Sequence, residues 1–164
     1  MKPMHKIRKN ENLKINLNHL FETVKSLLND EDDLISGLAN VSSVINAYIT
    51  NINWCGFYLI KNNKLVLGPF QGLPACTRID IGKGVCGTAA KTKTPLIVPN
   101  VHKFPGHIAC DVNSQSEVVI PLFKNSKIFG VLDIDSPKLN RFKKAEVNTF
   151  IKIAALINKF IGCL

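Results

Sequence analysis

Cys76–Asp135, CTRIDIGKGVCGTAAKTKTPLIVPNVHKFPGHIACDVNSQSEVVIPLFKNSKIFGVLDID, interleaves thiols, acids and turn glycines more densely than any other stretch of the chain. It carries three of the five cysteines and two of the four histidines. Its texture is that of short extended segments around one short helix. Thr77–Ile81 reads as a strand, and Gly82-Lys83-Gly84 breaks it and leads into a helix over Val85–Thr92. Pro95–Val98 is a brief extended piece. Residues 99–116, with Pro99, Pro105 and Gly106, form a long loop of the kind that in a compact domain usually has a function. Glu117–Phe123 and Ile128–Ile134 then alternate about Asn125-Ser126 as a β-hairpin.

Upstream, Trp54–Ile60 and Leu65–Phe70 flank Asn62-Asn63 as a second hairpin. Leu17, Leu20, Phe21, Val24, Leu27 and Leu28 recur at three and four, which predicts an amphipathic helix over 16–29. Asp30, Glu31, Asp32 and Asp33 open a second helix running to about Ile49, where negative charge suits the positive end of the helix dipole. A helical period returns from Lys143 to Ile161. Two helices, two hairpins joined by a short helix and a loop, and a closing helix make an α+β fold. The central antiparallel sheet should carry the N- and C-terminal helices on one face and the loop and short helix as a roof on the other. Residues 1–15 read as a basic arm and 16–164 as a single domain.

A length of 164 residues fits one domain, and 46% hydrophobic with 20% charged residues is ordinary globular composition. No apolar run approaches the roughly 20 residues of a membrane span. The basic N-terminus MKPMHKIRKNENLK lacks the apolar segment of a secretory signal, so a soluble cytoplasmic protein is expected. Five cysteines, an odd number, argue against a disulfide framework. Without a Cys-x-x-Cys pair or histidines at ligand spacing, no metal is expected. The net charge of +9 is spread over lysines that alternate with asparagine, as at Lys61-Asn62-Asn63-Lys64, and reads as solvated turns. No nucleic-acid partner follows from it. Gly82-Lys83-Gly84-Val85-Cys86-Gly87 lacks the nucleotide-binding pattern, so no cofactor is expected.

Six motifs in register, NWCGFYL, LGPFQGLPAC, GKGVCGTAA, VPNVHKFPGHIACD, SEVVIPL and GVLDIDSP, strongly resemble the free methionine-(R)-sulfoxide reductases, which are built on the GAF fold. The resemblance runs from about Asn53 to Phe142. It implies reduction of free methionine-(R)-sulfoxide by cysteine thiols recycled by thioredoxin. By position, Cys110 corresponds to the attacking thiol, and Cys76 and Cys86 to partners in disulfide formation. Trp54 and Tyr58 resemble the aromatic part of the substrate pocket, and Glu117, Asp133 and Asp135 its carboxylates. Cys55 and Cys163 match no functional position. GAF domains commonly pair through their terminal helices, which makes a homodimer a candidate assembly. A non-catalytic GAF module that senses a small ligand is the alternative reading.

The residue chemistry fits the resemblance. Asp133 and Asp135, two apart on a strand, share one face. Clustered carboxylates cannot all ionise cheaply, so one keeps a proton with which to protonate the sulfoxide oxygen, while another binds the substrate ammonium. A sulfenic acid left on Cys110 would condense with a nearby thiol. Cys86 and Cys76, 24 and 34 residues away, both qualify if their α-carbons come within about 7 Å of it. Glu117 sets a test of register. A two-residue turn at Asn125-Ser126 places Glu117 opposite Ile134, on the wrong face. An odd loop or a bulge is therefore expected.

Overall fold

The computed structural model describes residues 12–108 and 110–164. The elements run α1 (Leu13–Asn29), α2 (Leu34–Tyr48), β1 (Trp54–Lys61), β2 (Lys64–Gly72), β3 (Arg78–Asp80), α3 (Gly84–Thr92), β4 (Leu96–Val98), β5 (Ser116–Lys124), β6 (Lys127–Ser136) and α4 (Lys144–Cys163). A 3-10 turn at Val101–Lys103 interrupts the long loop. The strands form one antiparallel sheet in the order β3-β2-β1-β6-β5-β4. The two hairpins thus meet at its centre through β1 and β6.

Helix α1 begins inside the expected basic arm because Asn12 caps it, its Oδ1 accepting from the N–H groups of Lys14 (2.9 Å) and Ile15 (3.4 Å). The rest of the arm, residues 1–11, lies outside the described residues. The four acids precede α2. Asp33 is its N-cap and accepts from Ser36 N–H at 2.7 Å, a bond that lowers the Asp33 pKa.

Strand periodicity sorts the side chains between two cores. Cys55, Phe57 and Leu59 of β1 point to the face covered by α1, α2 and α4, where Leu20, Leu38, Ile45, Phe150 and Ile153 are fully buried. Trp54 and Tyr58 point the other way, into a smaller core with Val85, Cys86 and Ala89 of α3, Val119 of β5 and Val131 of β6. The large core fixes the sheet; the small one seats α3 and the loops on its opposite face.

A buried ion pair ties α4 to the start of β1. The Arg141 guanidinium donates twice to Glu146 (2.9 and 2.8 Å) and also to Thr50 O (2.7 Å through Nη2). Glu146 in turn accepts from Lys143 N–H, closing the first turn of α4. The Glu146 side chain is only 2% exposed and that of Arg141 14%, so removing one partner strands a charge in a dry site. Glu146→Ala is expected to cost about 3 kcal/mol, read as a lower urea midpoint at unchanged slope.

Candidate active site

The site is built by a bulge. Both hairpins turn through two residues with positive φ, Asn62 (50°) and Asn63 (58°), then Asn125 (50°) and Ser126 (64°). These are type I′ geometries, which match the strand twist. The second turn pairs Lys124 with Lys127 and Phe123 with Ile128. Continued unchanged, that register would set Glu117 opposite Ile134. Instead it shifts, Leu122 pairing with Gly130, so that Phe129 is the extra residue and Glu117 falls opposite Asp135. The expected irregularity is thus a bulge on β6, not an odd loop. With Trp54 also opposite Asp135, the row Trp54–Asp135–Glu117 crosses three strands on the α3 side of the sheet.

Glu117, Asp133 and Asp135 are 6%, 5% and 8% exposed. They line a cavity of ≈ 20 Å³ beneath the loop carrying Ile108 and Cys110 and beside the first turn of α3. Burial drives all three carboxyls upward in pKa. Asp133 rises to about 6, restrained by hydrogen bonds from Cys86 and Glu117. Burial, and then the negative charge on Asp133, push Glu117 and Asp135 well above the carboxylate range. The cluster therefore ionises first at Asp133, while Glu117 and Asp135 hold their protons to higher pH. An anion to grip a cation and an acid to give a proton stand side by side.

Helix α3 delivers Cys86 into this cluster. Its Sγ donates to Asp133 Oδ2 at 3.2 Å and faces Glu117 Oε1 at 3.8 Å. Burial and the Asp133 charge hold the thiol pKa well above its ordinary value, so Cys86 remains protonated. The helix can approach this closely because residue 87 is glycine; a Cβ there would collide with Asp80 O.

Cys76 and Cys110 form a disulfide with α-carbons 5.2 Å apart. Of the two thiols open as partners of Cys110, Cys76 is the one bonded, while Cys86 is free and buried. The Tyr58 hydroxyl donates to Cys76 O at 2.9 Å and lies 3.9 Å from Cys110 Sγ. Burial first and the Asp133 charge second keep the phenol protonated at every ordinary pH. Trp54 stacks between Tyr58 (centroids 5.8 Å apart) and Phe70 (5.3 Å), and its Nε1–H donates to Leu73 O. Neither aromatic lines the cavity in this disulfide form; they floor the Cys76 loop beside it. Cys55 lies buried on the opposite face of the sheet, and Cys163 is exposed at the end of α4.

Sequence reasoning missed what anchors the Cys110 loop. Asn53 Nδ2 donates to Asp111 Oδ2 (2.7 Å) and Ser114 Oγ (3.0 Å), pinning the loop to the start of β1. Asp111 also accepts from Asn113 N–H at 2.8 Å. Burial pushes its pKa up, but the bonds from Asn113 and Asn53 outweigh it and the carboxylate stays ionised. The signal lay in Asp111-Val-Asn-Ser114, an Asx-turn composition. His107 lines the cavity too, and burial followed by the facing His102 holds its imidazole below the usual range. It is neutral at pH 7.

The sequence profile of the GAF domain matches residues 33–161. The free methionine-R-sulfoxide reductase of Escherichia coli K12 is 44% identical over 137 residues, 84% of this chain and 83% of that protein. The chain belongs to the free methionine-R-sulfoxide reductase family, on the GAF fold. The reduced form of the Staphylococcus aureus member superposes with a TM-score of 0.86 at 46% identity, covering 96% of this chain and 99% of that one. The Neisseria meningitidis member in complex with its substrate superposes with a TM-score of 0.92 at 35% identity, covering 96% of each chain. The expected α+β class, with the terminal helices on one sheet face and α3 on the other, is the fold observed.

Proposed function

We propose that this protein reduces free methionine-(R)-sulfoxide to methionine, with Cys110 as the nucleophile and Cys76 as the resolving thiol. The observation that carries the reading is the Cys76–Cys110 disulfide standing against a buried cluster of three carboxyls. The Cys110 thiolate attacks the sulfoxide sulfur, and a protonated carboxyl, Glu117 or Asp135, gives a proton to the oxygen as the S–O bond breaks. The hydroxyl passes from the methionine sulfur to Cys110 Sγ, the transient S–S bond breaks, and methionine leaves with Cys110 as a sulfenic acid. The Cys76 thiol displaces it as water, forming the disulfide. The sum is one sulfoxide and two thiols to one sulfide, one disulfide and water.

A free amino acid also presents an ammonium and a carboxylate. The Asp133 anion suits the ammonium. The first turn of α3 (Gly84, Val85, Cys86) lines the cavity, and first-turn N–H groups have no acceptor within their helix, so they suit the carboxylate. A peptide-bound residue has neither charged end and is excluded. Trp54 and Tyr58, which lie beneath the Leu73–Cys76 segment beside the cavity, are assigned the apolar wall for the methyl side. At ≈ 20 Å³ the cavity of this disulfide form holds about one water, too little for the substrate side chain. Cys86, protonated and bonded to Asp133, orients that carboxylate instead of exchanging disulfides.

Both disulfide cysteines are half-buried, between exposed Leu73 (59%) and Val112 (85%), within reach of a protein dithiol such as thioredoxin in a reducing cytoplasm. No helix among the described residues is long and apolar enough to cross a membrane. The test is a mixture of sulfoxide epimers, free and N-acetylated, incubated with protein and dithiothreitol. Loss of the free R epimer alone is the expected result. Binding without loss would favour a sensory module instead.

A further inference from the structure

The carboxylate cluster is built to hold more than an ammonium group. Cys86 Sγ, a Glu117 oxygen and an Asp133 oxygen all lie within 4.8 Å of one another, on three elements far apart in sequence and all buried. The sulfur stands 3.2 Å from the Asp133 oxygen and 3.8 Å from that of Glu117. A tetrahedral ion at ordinary Zn–S and Zn–O bond lengths wants sulfur and oxygen about 3.5 Å apart, midway between these values. Asp133 Oδ1, on a side chain that lines the cavity, is buried and has no hydrogen-bond donor once Glu117 is ionised, as a ligand must be. Such an orphaned carboxylate oxygen in a dry site calls for a partner. Lys83, the one lysine among the described residues that lines the cavity, is exposed. The cavity, at ≈ 20 Å³, admits an ion with a water far more readily than an organic ligand.

We propose that Cys86, Glu117 and Asp133 form a site for a thiophilic divalent cation of the Zn²⁺ type. One thiolate and two carboxylates are a borderline-soft donor set that suits Zn²⁺ or Co²⁺ and disfavours Mg²⁺ and Ca²⁺, which take oxygen alone. Coordination displaces the Cys86 and Glu117 protons to solvent and leaves a fourth position open toward the cavity. The ion occupies the place assigned above to the substrate ammonium, so it is an inhibitor that competes with substrate. That last step rests on the reductase reading; the site itself does not. Cysteine and histidine spacing could not reveal it, because no two ligands lie near each other in the chain.

Co²⁺ gives a readout that needs no turnover, a near-ultraviolet thiolate-to-cobalt charge-transfer band. The full chain is taken in its disulfide form with Cys163→Ser, so that Cys55 and Cys86 are the remaining thiols. Titration with Co²⁺ is expected to raise the band, Zn²⁺ to erase it, and Mg²⁺ to leave it untouched. Adding Cys86→Ser should abolish it, and Asp133→Asn or Glu117→Gln should weaken Co²⁺ binding at least about tenfold in proteins whose circular dichroism is unchanged. No band, or one that survives Cys86→Ser, would overturn the site. In the reduced Cys110→Ser variant, excess free methionine sulfoxide is expected to weaken Co²⁺ binding about tenfold or more. Unchanged Co²⁺ affinity in that arm would overturn the overlap with the ammonium position, whatever the fate of the reductase activity.

Discussion

Cys110→Ser is expected to lower turnover of free methionine-(R)-sulfoxide by about a thousandfold or more, the scale on which enzymes lose activity with their nucleophile. A hydroxyl in place of the thiol neither attacks sulfur nor carries the oxygen away, so single-turnover product should vanish as well. Substrate should still bind, because the carboxyls and the first turn of α3 are untouched. Cys76→Ser should behave differently. One equivalent of methionine forms in a single turnover, and Cys110 then accumulates as a sulfenic acid that dimedone traps. Retained single-turnover reduction by Cys110→Ser would remove that thiol from the mechanism. A Cys76→Ser protein that cycles at the normal rate with thioredoxin would transfer the resolving role to Cys86.

Asp133→Asn should separate function from stability. Asp133 carries the cluster's charge, and a charge-assisted contact is worth about 1.5–3 kcal/mol, so kcat/KM should fall on the order of a hundredfold. Folding stability should move the other way. Burial raises the carboxyl from its ordinary 3.8 to about 6. The folded state therefore binds the proton more tightly than the unfolded chain does. That contribution is fully present below pH 3.8 and is lost as pH rises through about 6. At pH 7 the native protein bears the cost of an ionised carboxylate in a dry cavity. The isosteric amide removes a penalty on the order of 3 kcal/mol, raising the urea midpoint at pH 7 and flattening its fall between about pH 4 and 6. In the native protein kcat/KM should rise with pH through about 6 as Asp133 ionises, and fall again when Glu117 or Asp135 loses its proton. A destabilised, fully active Asp133→Asn would contradict both halves.

The same cluster shows which statements were legible in the chain. That Asp133 and Asp135 share a face follows from strand period alone, as does the opposition of Trp54 and Tyr58 to Cys55 and Phe57. The helical period at Leu17, Leu20, Val24 and Leu28 likewise needs nothing beyond the sequence, because each local element answers to its own side-chain spacing. Six motifs in register carried the family. The place of His107 on the cavity wall and the Asn53–Asp111–Ser114 clamp were not legible, since each depends on how the Cys110 loop packs.

By itself the sequence determined the elements, the α+β class and which residues share a sheet face, while the family resemblance of Glu117 called for an irregularity in the second hairpin. Local periodicity and turn chemistry suffice for the former. Only the tertiary structure decided that the irregularity is a bulge at Phe129, because strand pairing, and not the turn, fixes where the extra residue goes. Only it decided that Cys76 closes on Cys110. A disulfide depends on α-carbon separation, here 5.2 Å, and 34 residues of intervening chain leave that distance free until the sheet and α3 are packed. And only packing put the Cys86 thiol beneath three carboxyls, where burial turns ordinary acids into a site that holds a charge and a proton together.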